Sequence, residues 1–168
     1  MYAKRLKAYK QIGYELACGL QIGKQTVNAI YDWDNYSTYY HKDLLGANNN
    51  IIISSPVISG PKVYELINLL KEKQMSGVQI TIVTWAPDSY RFGDAAYWMQ
   101  LHEDMRQAGF YIKTVEESCE RFAVIDQEVV WYGNINLLAK DKVDDSIMRI
   151  LSKEIASELM EITFGDNG

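Results

Sequence analysis

Between Cys119 and Asn136 the chain reads C-E-R-F-A-V-I-D-Q-E-V-V-W-Y-G-N-I-N, and here its chemistry-bearing side chains stand in their tightest order. The thiol of Cys119 precedes the guanidinium of Arg121 by two positions. The carboxylate of Asp126 follows after four intervening residues, and two carboxamides close the stretch within Gly133-Asn134-Ile135-Asn136. A guanidinium is a forked donor that grips a phosphate bidentately. Arg121 could therefore grip a phosphate, and Asn134 and Asn136 bring further donors. Cys119 is the nucleophile candidate. A thiol titrates at about 8.5 and attacks as the thiolate, so it needs a lowered pKa to act near neutrality. Arg121 favours that and Glu120 opposes it, so an inert, packed thiol is the first expectation and a catalytic one the alternative.

Composition narrows the setting. With 168 residues, 48% hydrophobic and 23% charged, the chain is long enough for one domain with its own core. A net charge of −5 argues against broad non-specific nucleic-acid binding, which displaces counterions with Lys and Arg. A local basic groove remains compatible with it, because net charge averages over both faces. No apolar run approaches the roughly 20 residues of a membrane span, so no membrane partner is expected. The start, M-Y-A-K-R-L-K-A-Y-K, is basic but lacks the apolar stretch of a signal peptide, and a cytoplasmic location is the default. Cys18 and Cys119 read as isolated thiols of a reducing compartment. Two His and two Cys, scattered, form no zinc ligand set, and there is no G-x-x-x-x-G-K-[ST] loop. No metal, cofactor or ATPase motor is expected of this chain. His41-Lys42-Asp43 reads as the exposed end of a helix, and His102 as a position on a helix. Most of the 12 Tyr and 4 Trp read as core.

These residues need elements to position them. Residues 1–30 read as helical from Leu6, Tyr9, Ile12 and Leu16, with Gly13, Gly19 and Gly23 weakening the pattern. Residues 35–46 read as a helix closed by Gly46, and Ile51 to Ser55 as a buried strand ended by Pro56 and the Ser59-Gly60-Pro61 turn. Val63 to Gln74 is an amphipathic helix with Val63, Leu66, Ile67 and Leu70 on one face, followed by a strand from Val78 to Thr84. That strand–helix–strand unit implies a right-handed parallel crossover. A helix over 94–108 and a strand from Phe110 to Val115 repeat the pattern. Phe122–Ile125 and Val129–Tyr132 read as a hairpin, although Asp126-Gln127-Glu128 lacks the Asn-Gly or Asp-Gly of the tightest turns. A strand from Ser146 to Leu151 and a helix from Lys153 to Thr163, N-capped by Ser152, complete the chain. There is no low-complexity segment and no internal repeat. The expectation is an α/β domain with a mixed β-sheet flanked by helices, over 28–164, with a helical arm or linker at 1–27 and a frayed tail at 165–168.

The spacing resembles the motif of the phospholipase D superfamily, H-x-K-x4-D followed by G-S-x-N. Cys119 stands at the His position, Arg121 at the Lys position and Asp126 at the Asp position, and Gly133-Asn134-Ile135-Asn136 takes the place of G-S-x-N. The words R-F-A-V-I-D-Q-E-V-V-W-Y-G-N-I-N-L-L and D-S-I-M-R-I, with I-I-I-S-S-P and V-Q-I-T-I-V-T upstream, resemble one branch in particular. That branch is the phospholipase D-like domain at the C-terminus of bacterial DEAD/DEAH-type helicase proteins, over roughly residues 28–162. The first 27 residues then read as linker from a longer parent.

In that family a His attacks phosphorus and a second motif's His protonates the leaving oxygen. The Lys and Asn hold the phosphate oxygens. The resemblance thus assigns Arg121, Asn134 and Asn136 to phosphate, a largely structural part to Asp126, and the orienting acid to Asp145, with Asp144 as alternative. Cys119 stands where the imidazole is missing. One motif copy per chain implies a homodimer with the motif near its two-fold axis.

Three functions follow as expectations. The first is a catalytically impaired module binding DNA or RNA phosphates as an accessory of a helicase domain, in the same chain or a partner's. The second is an active phosphodiesterase or nuclease. The third is a structural dimerisation domain.

Overall fold

The computed structural model describes residues 29–89, 94–139 and 145–165; the expected arm at 1–27, Cys18, Asp144 and the last three residues lie outside them. Seven strands form one sheet in the order β1-β7-β6-β5-β2-β3-β4. They are β1 (Ala29–Asp32), β2 (Asn50–Ser54), β3 (Gln79–Trp85), β4 (Tyr111–Val115), β5 (Phe122–Ile125), β6 (Val129–Gly133) and β7 (Ser146–Leu151). Four helices flank the sheet: α1 (Tyr36–Leu45), α2 (Gly60–Met75), α3 (Ala95–Gln107) and α4 (Lys153–Phe164). The mixed α/β architecture is the one expected.

The sheet is parallel on one side and antiparallel on the other. β2, β3 and β4 run parallel, joined through α2 and α3. From β2 outward, β5, β6, β7 and β1 are all antiparallel. β2 is the seam, and the period of a strand sends its isoleucines to both faces. Ile51 and Ile53 enter the larger core beneath α1, α2 and α3, while Ile52 enters the smaller core with Ala156 and Leu159 of α4. A strand buried on both faces reads as an unbroken apolar run rather than an alternation, which is why I-I-I is legible as a strand.

Three expectations need correction. Ala29 and Ile30, taken as the end of a helix, belong to strand β1, which pairs with β7 in the register Ala29↔Arg149 and Ile30↔Met148. Four residues are too short to impose a period, so the strand is specified by its partner. Gly60 and Pro61, taken as a turn, open α2: Ser59 is its N-cap, and proline fits the first turn, where its missing N–H has no helical partner anyway. The third is His41-Lys42-Asp43. Asp43 is not at an exposed end. Its side chain is 17% exposed and receives Arg149 Nε at 2.7 Å, a second Arg149 nitrogen at 3.0 Å and Trp131 Nε1 at 2.8 Å.

That cluster ties α1 to β6 and β7. Trp131 is fully buried and needs an acceptor for its one N–H, and the Asp43 carboxylate serves both it and the guanidinium. The hairpin turn between β5 and β6 is held similarly. Asp126 and Gln127 have φ of 54° and 58°, left-handed values that disfavour most side chains. The Asp126 carboxylate offsets that strain by accepting the backbone N–H groups of Asn48, Asn49 and Asn50 at 2.7–3.2 Å. The turn therefore forms without a glycine. Ser152 caps α4, accepting from Ile155 N at 3.2 Å, and Asp94 caps α3 from Ala96 N at 2.9 Å.

Asp43→Asn keeps the shape of the cluster and removes its charge. We expect it to lower unfolding stability by about 2 kcal/mol, the scale of hydrogen bonds to a charged group. Urea titration monitored by Trp fluorescence measures this, and a change under 0.5 kcal/mol contradicts the role given to the cluster.

Candidate functional site

The carboxyl ends of the three parallel strands, Ser54, Trp85 and Val115, lie on one edge of the sheet. The start of β5, the end of β6 and the start of β7 share that edge. In open α/β sheets the crevice outside the carboxyl ends is where ligands bind. The segments 55–59, 116–121 and 134–139 meet there, and hydrogen bonds join the first to the third. Ser55 Oγ accepts from Leu138 N at 3.2 Å and donates to Val57 O at 2.7 Å, while Ser59 N donates to Leu138 O at 2.8 Å. Ile135, Leu137 and Leu138 are buried in the larger core, and this anchoring fixes where Asn136 stands.

Asn136 is 6% exposed, and its Oδ1 accepts from Arg121 Nε at 3.0 Å. The bond orients the half-buried guanidinium and leaves its terminal N–H groups without a hydrogen bond among the described residues. Asn134 is exposed at the end of β6, its backbone N–H on Ser146 O at 3.1 Å. Asp145, half-buried, immediately precedes that serine. Gly133 makes the close approach possible: a Cβ there would stand 2.4 Å from Ser146 O and 2.7 Å from Ile147 Cα.

Cys119 Sγ lies 3.4 Å from Ser54 Oγ and packs against the smaller core beside α4. Burial holds the thiol above its ordinary pKa; contact with Ser54 and then Arg121 pull it down, and Glu120 pushes it up. The Ser54 hydroxyl stabilises a thiolate only by donating to it, but its single proton goes to Glu120 O at 2.5 Å. The thiol proton then goes to Ser54 Oγ or to a backbone carbonyl, Val83 O at 3.9 Å or Glu120 O at 3.8 Å, and each of these uses favours the protonated form. The Glu120 carboxylate is engaged by Tyr132 OH at 3.0 Å.

The structure thus gathers Cys119, Arg121, Asn134, Asn136 and Asp145 at one edge. Asp126 is not among them. It stands at the far end of β5, five residues from Arg121 and roughly 17 Å away along an extended strand. Its contacts are those of the turn. Ser54, Ser55 and Tyr132 were not singled out as site residues by sequence reasoning. The available signal was the serine pair ending an isoleucine run, since a buried hydroxyl must find a partner. Among the described residues no group of three or more His, Cys, Asp or Glu converges as a metal site. No described helix is long and apolar enough to cross a membrane.

Residues 40–164 match the family described as cardiolipin synthase, PLD-like domain. The chain belongs to this PLD-like family. No curated protein matches the sequence. Solved structures are similar in fold. NucT from Helicobacter pylori has a TM-score of 0.62 at 10% identity, covering 80% of this chain and 91% of its own. Nuc from Salmonella typhimurium, a phospholipase D family member, gives 0.61 at 14% with the same coverage. TrmBL2, an archaeal chromatin protein with a novel mode of DNA binding, gives 0.58 at 14%, covering 95% of this chain and 60% of its own. At these identities the likeness is one of fold.

The two histidines lie elsewhere in the PLD-like domain. His41 Nε2 is 3.3 Å from Glu65 Oε1, between α1 and α2. His102, on α3, is buried with neither ring nitrogen hydrogen-bonded. Burial first, and Arg106 second, hold its pKa below the ordinary 6.5.

Two outcomes follow. Gly133→Ala forces β6 from β7 beside Asn134 and is expected to cost about 1–3 kcal/mol, the scale of overpacking; an unchanged melting midpoint contradicts the close approach. For His102 the folded pKa is depressed, so its neutral burial contributes fully above pH 6.5 and is lost as pH falls below that value. Denaturant midpoints of the wild type should therefore fall between pH 7.5 and 5.5 more steeply than those of His102→Phe. Parallel slopes contradict this.

Proposed function

We propose that the domain holds phosphate groups of DNA or RNA without cleaving them. In this reading Arg121, Asn134 and Asn136 grip the phosphate, and Cys119, in place of the motif His, leaves the site catalytically impaired. The observation that carries the reading is the Arg121–Asn136 bond at 3.0 Å, which aims an otherwise unpaired guanidinium at the sheet edge. Beside it stands a buried thiol whose surroundings favour the protonated form. A thiol in that state neither attacks phosphorus nor supplies the proton that the leaving oxygen needs at neutral pH. Asp145 has no imidazole to orient, so we assign it to shaping the loop after Asn134.

The fold neighbours are compatible with a nucleic-acid ligand, TrmBL2 being described as binding DNA. The accessory role beside a helicase domain rests on the resemblance of R-F-A-V-I-D-Q-E-V-V-W-Y-G-N-I-N-L-L and D-S-I-M-R-I. A single motif copy supports a homodimer facing across the site edge, which sedimentation of the full chain checks.

Fluorescence anisotropy with a short single-stranded oligonucleotide tests the function. We expect binding that weakens with salt. Arg121→Ala should weaken it about tenfold across sequences and lower the salt slope by about one. Unchanged binding in the Arg121→Ala, Asn136→Ala double variant overturns the reading. Turnover of bis(p-nitrophenyl) phosphate that survives EDTA and disappears in Cys119→Ser overturns the impairment and favours a phosphodiesterase. No response to phosphate or oligonucleotide favours a dimerisation domain.

A further inference from the structure

A groove of about 580 Å³ lies beside the exposed face of α3, lined by Met99, Gln100, His102, Glu103, Arg106 and the β4 residue Thr114, with Pro87 at one end. Its volume is in the range of small-molecule sites. His102 lines it while being 1% exposed, with both ring nitrogens unpartnered. Buried polar atoms without partners are rare and unfavourable, so each needs an explanation. Neither α3 nor β4 supplies one here.

The surroundings say what kind of partner fits. The imidazole stays neutral near neutral pH, offering one donor and one acceptor. Glu103 lies 3.9 Å from Arg106 and offsets its charge, so the groove lacks the net positive field of an anion site. Gln100 brings a carboxamide that already bonds Asp104 at 2.8 Å. Met99, 59% exposed, presents a polarizable thioether suited to a ring edge. The matching ligand is planar and neutral, with adjacent donor and acceptor and apolar faces.

Position adds a second argument. Thr114 and Pro87 stand at the carboxyl ends of β4 and β3, the edge that also carries Arg121. Both places adjoin the larger-core face, through Leu101 and Ile112 in one case and Ile135 and Leu137 in the other. β5, β2, β3 and β4 are successive neighbours, and three strand spacings are roughly 15 Å. A few nucleotides of extended single strand cover that distance.

We propose that the His102 groove is a nucleobase subsite, receiving a base of a strand whose phosphate lies on Arg121. It rests on the phosphate-binding reading for that second contact. The ring nitrogens are closed to solvent in the free protein, so engaging them takes a rotation of the imidazole into the groove it already lines. A base edge then gives His102 the partners it lacks.

The test compares a mixed-sequence single-stranded oligonucleotide with an abasic strand of equal length, on the full chain. The wild type should prefer the base-bearing strand about tenfold. His102→Phe should erase that preference while leaving inorganic phosphate and the abasic strand bound as before. Met99→Ala, at an exposed position that folding does not depend on, should reduce the preference several-fold and covers a folding failure of the first variant. Free adenosine and cytidine should shift the backbone amides of residues 99–106 in the wild type and not in His102→Phe. That readout stands even if Arg121→Ala shows that phosphate binds elsewhere. Equal affinity for the two strands, or a preference that survives both substitutions, overturns the subsite.

Discussion

Everything at the candidate site hangs on the double burial of β2. Ile51, Ile52 and Ile53 are 0%, 4% and 0% exposed, and the strand pairs in parallel with β3 and antiparallel with β5. Burying three such side chains stabilises the fold by roughly 5–9 kcal/mol before chain entropy is counted. More important for function is what that burial fixes at each end. At the start of β2, Asp126 gathers three backbone amides. At its end, Ser54 bonds to Glu120 and Ser55 to Leu138. The segments carrying Cys119, Arg121 and Asn136 are thus positioned by two hydroxyls on a strand that has no freedom to shift. A slip of one residue would send Ile51 and Ile53 to the wrong face.

The fold was legible in the sequence wherever one strong pattern sufficed. The isoleucine run, the apolar faces of α2 and α3, and the cap Ser152 each have a local physical cause. What was not legible depends on partners distant in sequence. β1 is four residues that become a strand because β7 offers a free edge. Asp43 lies among residues with no visible task, and its value comes from Arg149 and Trp131, 106 and 88 positions away. Charge alone cannot announce such a pairing. At the site, a hairpin returns the chain to its own start, and this brings Asn136 to Arg121. The hairpin reading, with Asp126 in its turn, already set that residue at the other end, in line with the structural part the resemblance gave it.

The electrostatics of the edge are less cationic than the phosphate inventory suggests. Arg121 is flanked by Glu120 in sequence, and Asp145 lies beyond Asn134. Tyr132 OH donates to the Glu120 carboxylate at 3.0 Å. Among the described residues the edge presents one guanidinium with opposing carboxylates, which gives modest, salt-sensitive attraction for a polyanion. Affinity on such a surface must come from several weak contacts rather than from one deep anion pocket, and this agrees with an overall charge of −5.

In the proposed reading, the Arg121–Asn136 bond lets an anion grip persist beside a thiol that does not act as a nucleophile. Asn136 is buried, and a buried carboxamide oxygen needs a donor whatever the domain's task. Arg121 supplies it through Nε, the nitrogen nearest the chain, so the structural use of the guanidinium does not consume its terminal N–H groups. One contact therefore satisfies Asn136 and, in the proposed reading, leaves the terminal N–H groups of the fork to a phosphate. Cys119 carries no such double duty. It lies half-buried beside Ser54 and Val83, packed against the smaller core. In the proposed reading, bond-making and phosphate-holding are thus separable, because the Arg121–Asn136 contact is tied to the packing of the core and Cys119 is not part of it.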